Sequence, residues 1–140
     1  MNPRRIYTLV MFVLIVIVYS AAAQPIALDS GQITKTLKLP DGATFAVTVS
    51  IGKWRSDPYK NAQLWGAWGK TPTTVISLVA ASRSNEPLPL YVPFSSYADL
   101  ADPRTVEVRL KGNDVELEIV GAGGGLEYQA LLVFTKGRYL

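Results

Sequence analysis

Four aromatic residues fall within fifteen positions: Trp54, Tyr59, Trp65 and Trp68. They include all three tryptophans of the chain, and Lys53, Arg55, Asp57, Lys60, Asn61 and Gln63 lie among them. Flat aromatic rings beside amides and charges suit a sugar, whose C–H face stacks on the ring while its hydroxyls meet the polar groups. Trp and Tyr also dominate the energetic centres of protein–protein interfaces, because they bury much area with few rotatable bonds. Trp54, Tyr59, Trp65 and Trp68 are therefore the candidate binding platform, with Lys53, Arg55 and Asn61 as candidate orienting groups. The partner expected is a protein or a glycan. A large ring can equally plug the open end of a small domain, with its N–H on a loop carbonyl.

Catalytic chemistry has little to work with. The chain has no histidine and no cysteine, which removes the usual general base at neutral pH, the thiol nucleophile and the commonest transition-metal ligands. Ser50 and Lys53 have a Ser-x-x-Lys spacing, but that pair works on one helical turn, and on a strand residues three apart point to opposite faces. Glu107, Glu116 and Glu118 could serve a carboxylate-dependent hydrolase only if one of them sat in an apolar cleft with a raised pKa. A solvated strand face balanced by Arg109 is the simpler reading. Asp99, Asp102 and Glu86 supply too few oxygens for a calcium site. Capping by Asp99 and a turn at Asp102 before Pro103 explain them. Gly66-Ala67-Trp68-Gly69-Lys70-Thr71 ends like a phosphate loop, but has two residues between its glycines where four are needed. No cofactor is expected.

The elements that would carry such a platform are strands. In Arg104–Val120, Val106, Val108 and Leu110 alternate with Glu107 and Arg109, and Val115, Leu117 and Ile119 with Glu116 and Glu118. This is the period of half-buried β-strands. Gly112-Asn113 between them suits a type II′ turn, with Gly112 taking φ > 0. The predicted register sets Leu110 against Val115, Val108 against Leu117 and Val106 against Ile119, with Arg109 facing Glu116 and Glu107 facing Glu118. A second hairpin joins Ile33–Leu39 to Thr44–Ile51 through Pro40-Asp41-Gly42, with Leu37 opposite Phe45. The segment Thr74–Ala81 is apolar on both faces, as in a strand buried on two sides or central in a sandwich. Prolines at 87, 89 and 93 make Leu88–Phe94 an edge strand or extended coil, where a partner could add a strand. Ser96-Tyr97-Ala98-Asp99 has the spacing of a capping box, which predicts a helical turn after Ser96. Gly121–Gly125 reads as a flexible connection, and Leu126–Phe134 as the last strand.

Six or seven strands with turn signals every eight to twelve residues predict an antiparallel β-sandwich, immunoglobulin-like or jelly-roll-like, with one short helical turn; the alternative is a small antiparallel barrel. A sheet with one wet face must cover its other face with a second layer.

The first 23 residues read as a secretory signal peptide: Arg4 and Arg5, an unbroken apolar run Leu9–Val18, and small residues Ser20–Ala23. The apolar stretch is short of the roughly 20 residues that cross a bilayer, so no stable membrane span is expected after cleavage. Residues 24–32 read as a flexible lead-in and 33–140 as one domain. Of the 14 basic residues Arg4 and Arg5 leave with the leader, so 12 face 11 acidic ones, a net of about +1. That is no electrostatic footprint for nucleic acid. The expectation is a secreted or periplasmic, non-catalytic module for protein interaction or envelope assembly; carbohydrate binding through the same tryptophans is the alternative.

Overall fold

The computed structural model describes residues 28–55, 64–67, 71–123, 126–135 and 138–139. The chain is almost wholly β. Its strands are β1 Gly31–Lys38, β2 Thr44–Lys53, β3 Thr74–Arg83, β4 Leu90–Tyr91, β5 Pro103–Lys111, β6 Asp114–Gly123, β7 Leu126–Thr135 and β8 Arg138–Tyr139. They form two four-stranded antiparallel sheets, ordered β1-β2-β3-β4 and β5-β6-β7-β8. Each layer is a simple meander, without the Greek-key connections of immunoglobulin-like sandwiches. Of these eight, the two-residue β4 falls within Leu88–Phe94, and the two-residue β8 is the strand beyond the expected six or seven. The N-terminal leader lies outside the described residues.

Both hairpins take the register that alternation dictates. Leu110 pairs with Val115, Val108 with Leu117, Val106 with Ile119, Arg109 with Glu116 and Glu107 with Glu118. Gly112 has φ 63, and among the described residues Asp102 is the one non-glycine with positive φ, so Asn113 stays negative as a type II′ turn requires. In the first hairpin Leu37 meets Phe45, and Gly42 takes the left-handed conformation at φ 84. Strand β1 starts at Gly31, two residues before the clear alternation, because Gly31 and Gln32 pair with Ile51 and Ser50.

The inner faces meet in one core. Phe45 of β2 and Phe134 of β7 pack edge-to-face with centroids 5.4 Å apart. Val47, Val49, Ile76, Val79, Leu117 and Ile119 surround them, all fully buried. Strand β3 is central, between β2 and β4, but its outer face is open and leaves Leu78 exposed. That outer face continues across β2 and β1 as small neutral residues, with Thr34 and Thr48 hydroxyls 3.0 Å apart.

Two local expectations are corrected. The helical turn lies earlier than the capping-box spacing implies: it is a 3-10 turn at Phe94–Ser96, with Pro93 as its N-cap residue at φ −58 and no side-chain cap. Proline's fixed φ starts the turn, and Ser96 ends it. Nor are Gly121–Gly123, the described part of the run Gly121–Gly125, a free connection. Strand β6 continues through Gly121 to Gly123, which pairs with Leu126.

The outer face of the β5–β6 hairpin holds the charges. Arg109 donates from Nε to Glu116 and from Nη1 to Glu118, each at 2.8 Å, and Lys111 Nζ lies 3.2 Å from Glu116. The second contact relieves the Glu107–Glu118 opposition. Glu116 is not the solvated carboxylate that alternation suggests, since its side chain is only 6% exposed beneath these two cations. The hydrogen bond from Arg109, then the one from Lys111, hold its pKa below the ordinary glutamate value. A carboxylate held ionised in this way is a poor general acid at neutral pH.

Two predictions follow from this packing. Leu117→Ala should cost about 2–5 kcal/mol of unfolding free energy, measured by urea denaturation, because it empties the centre of the core. A depressed folded-state pKa at Glu116 stabilises the fold above the ordinary value of 4.5, and that contribution is lost as pH falls through the folded-state value. The urea midpoint should therefore drop less steeply in acid for Glu116→Gln than for the natural chain; parallel curves would contradict the assignment.

Candidate functional site

The site is built outward from Asp102. Its φ of 45 is left-handed, and it precedes Pro103, a position where the helical region is disfavoured. Such a conformation costs on the order of 1–3 kcal/mol and persists where the surroundings fix it. Here Asp102 Oδ1 accepts the backbone N–H groups of Thr73 and Thr74, both at 2.8 Å, and the Thr74 hydroxyl at 3.4 Å. The Asp102 N–H in turn donates to the Thr74 carbonyl at 2.8 Å. One residue thus stitches the approach to β5 onto the start of β3. A further bond runs from the Ile76 N–H to the Leu100 carbonyl at 3.0 Å.

Trp65 is laid against this segment. Its N–H donates to the Asp99 carbonyl at 2.8 Å, and its carbonyl accepts the Ala101 N–H at 2.9 Å, a parallel bridge with Leu100. Gly66 follows with φ 88. A Cβ on Gly66 would lie 2.7 Å from the Tyr128 ring and 2.8 Å from the Ala101 carbonyl oxygen. Tyr128, on β7, also covers Gly121 of β6, its cross-strand partner, so closely that a Cβ there would overlap the ring. The ring is buried, and its hydroxyl donates to the Ala101 carbonyl at 2.9 Å. Burial, with Asp102 and Asp99 nearby, pushes the phenol pKa well above its ordinary value, so Tyr128 remains a neutral donor.

Trp65 stands at the mouth of a cleft of about 270 Å³, whose walls are Trp65, Leu100, Glu127, Tyr128, Gln129 and Ala130. Its side chain is 62% exposed although its backbone is bonded on both sides. Glu127 and Gln129 project from the outer face of β7, and Gln129 hydrogen-bonds Glu118. An indole, a carboxylate and an amide therefore converge on an apolar floor.

Of the residues that the sequence nominates, Trp65 lines this cleft. Trp54 is half-buried where β2 ends, and its N–H bonds the Thr73 carbonyl at 2.9 Å. Lys53 and Arg55 are exposed beside it, and none of these three is in the cleft wall. Tyr59, Asn61 and Trp68 lie outside the described residues. Sequence reasoning missed Glu127, Tyr128, Gln129 and Leu100. The available signal was a tyrosine that pairing places across from Gly121.

Among the described residues no group of three His, Cys, Asp or Glu is placed to hold a metal ion. No described helix is long and apolar enough to cross a membrane. Comparison with known protein families, curated proteins and solved structures yields no match to this chain.

The latch makes a graded prediction. Asp102→Ala should lower stability by about 2–4 kcal/mol, from two orphaned N–H groups and from loss of the short polar side chain that makes a left-handed φ tolerable. Asp102→Asn should lose less than half of that, since Asn tolerates the left-handed region and keeps an acceptor. Equal losses in chemical denaturation would contradict this role.

Proposed function

We propose that the chain is an exported, non-catalytic β-sandwich module for protein interaction or assembly in the cell envelope, docking its partner at the cleft beside Trp65. The supporting observation is a single one: a tryptophan held by two backbone hydrogen bonds yet 62% exposed at the mouth of a cleft. A core residue would bury that ring. A residue on a loose tip would leave it without fixed bearings. An exposed indole on a fixed backbone loses less entropy on binding than one on a loose segment, which favours an interface anchor. Export is supported by the N-terminal pattern of Arg4, Arg5, the Leu9–Val18 run and Ala21-Ala22-Ala23. Trp54, Tyr59, Trp68, Lys53, Arg55 and Asn61 remain candidates for the wider contact.

A second reading is carbohydrate binding. Glu127 and Gln129 beside the indole favour it, because a ring stacked on Trp65 would present hydroxyls to a carboxylate and an amide.

The test is affinity capture of the tagged full chain from its native envelope, in parallel with retention on polysaccharide gels. Trp65→Ala should abolish a protein complex recovered by the natural chain while leaving the unfolding free energy within about 0.5 kcal/mol, the usual range for surface substitutions. Retention on a polysaccharide lost in Trp65→Ala selects the glycan reading. A complex that survives Trp65→Ala removes the cleft from either one.

A further inference from the structure

Strand β7 has an open edge, and its register identifies the free groups. Gly123 and Leu126 close the β6–β7 ladder, and Thr135 and Arg138 close the β7–β8 ladder, each with two residues between. The closing pair of a two-residue hairpin exchanges both of its hydrogen bonds, and the pattern then alternates along the strand. Leu126, Tyr128, Ala130, Leu132 and Phe134 therefore bond to β6. The odd-numbered residues from Glu127 to Thr135 turn their N–H and C=O groups the other way. Strand β8 meets that edge at Phe134 and Thr135 alone. Among the described residues no backbone group bonds the outward amides of Glu127, Gln129, Leu131 and Val133.

The edges of β1, β4 and β5 are guarded. Exposed strand edges invite pairing with foreign chains, and soluble proteins blunt them with inward-pointing lysines, prolines, bulges or a covering segment. Strand β1 carries exposed Lys35 between Ile33 and Leu37 on its inward side, and lies beside β5. Strand β4 is flanked by Pro89 and Pro93. Strand β5 has a register shift between Pro103 and Thr105. From Glu127 to Val133 strand β7 has no lysine, no proline and no register shift. Its unguarded part begins beside the Trp65 cleft, whose far wall is Trp65 and Leu100.

Resting on the binding-module reading above, we infer that β7 receives an extended segment of a partner protein as an added strand along Glu127–Val133, seated between the edge and Trp65. The chemistry of that segment is constrained. Glu127 is exposed and has no cationic partner among the described residues, so the residue facing it is basic. Leu131, 48% exposed on the same face, takes an apolar residue four positions away. The intervening side chains that turn inward meet Tyr128 and Ala130 and are apolar. Trp65 and Leu100 bound the cleft beside Glu127–Ala130, which admits one extended segment and obstructs a second sandwich continuing in the plane of the sheet.

The probe is an acetylated, amidated heptapeptide, Thr-Val-Val-Thr-Val-Lys-Thr, which as an antiparallel strand sets its Lys against Glu127 and its first Val against Leu131; it is titrated into the isotope-labelled chain and followed by amide NMR. Saturable shifts at Glu127, Gln129, Leu131 and Val133, together with the Trp65 indole, are expected. Leu131→Pro deletes one outward N–H and no bond to β6, and should weaken binding about tenfold or more, whereas Leu131→Thr should change it less than about threefold. If Leu131→Pro does not fold, N-methylation of the peptide's Lys, second Thr and first Val should abolish binding to the natural chain, while N-methylation of its second and third Val residues should not. No saturable binding at millimolar peptide, indifference to these changes, or self-association of the chain through β7 without peptide binding would each overturn the inference. A native complex lost in Trp65→Ala but intact in Leu131→Pro overturns strand addition and leaves the cleft reading standing; a complex intact in both overturns the two together.

Discussion

The Tyr128 ring fills the space that side chains at positions 66 and 121 would take, and its hydroxyl ends on the Ala101 carbonyl. That contact ties β7 to the segment which carries Trp65, and Asp102 ties the same segment to β3. The two layers are joined here by polar bonds to backbone, in a region where the hydrophobic core alone would permit sliding. Buried hydrogen bonds of this kind fix geometry more than they add net stability, because leaving one partner unpaired costs more than the bond contributes. The left-handed Asp102 is the strained part of the arrangement, and it follows Ala101, whose N–H bonds the Trp65 carbonyl; sites that need fixed presentation tend to hold strain.

Charge is distributed unevenly over the two outer faces. The β5–β6–β7 face carries Glu107, Arg109, Glu116, Glu118 and Glu127, several of them in a network through Arg109. The outer face of β1–β2–β3 presents Thr34, Thr36, Ala46, Thr48, Ser50 and Ala80, with Lys38 beside Thr44 as its ionised group at the hairpin end. Alternation satisfies solubility in both cases, one through ions and one through hydroxyls. The ionised side is also the side with the open edge, so a segment approaching β7 meets acidic potential first. Electrostatic bias of that sort speeds encounter and selects for sign more than it sets final affinity.

Much of the fold was legible because period-two patterning and turn chemistry agreed. Val106–Leu110 against Val115–Ile119 and Leu37 against Phe45 each had a turn residue that fixed the register, so the faces followed. The 3-10 turn was displaced because the capping-box spacing at Ser96 competed with Pro93, and the fixed φ of proline decides the backbone before a side chain can cap it. The glycines after Val120 were misjudged for a tertiary reason. Local preference marks them as flexible, but Gly121 is required by a ring seven residues later, which no local rule registers. Trp65 was legible as a binding candidate from its residue type and company. The cleft around it was not, because Glu127, Gln129 and Leu100 reach it only through the pairing of β7 and the parallel bridge at Leu100.

The junction of Asp102 and Tyr128 holds Trp65 beside an edge of β7 that, from Glu127 to Val133, no other described strand covers. Residue-resolved amide hydrogen exchange under native conditions reads both halves at once. Slow exchange at Thr73, Thr74, Tyr128, Ala130 and Leu132, with fast exchange at Glu127, Gln129, Leu131 and Val133, is the result this arrangement predicts. Uniform protection from Glu127 to Val133, or fast exchange at Thr73 and Thr74, would contradict it.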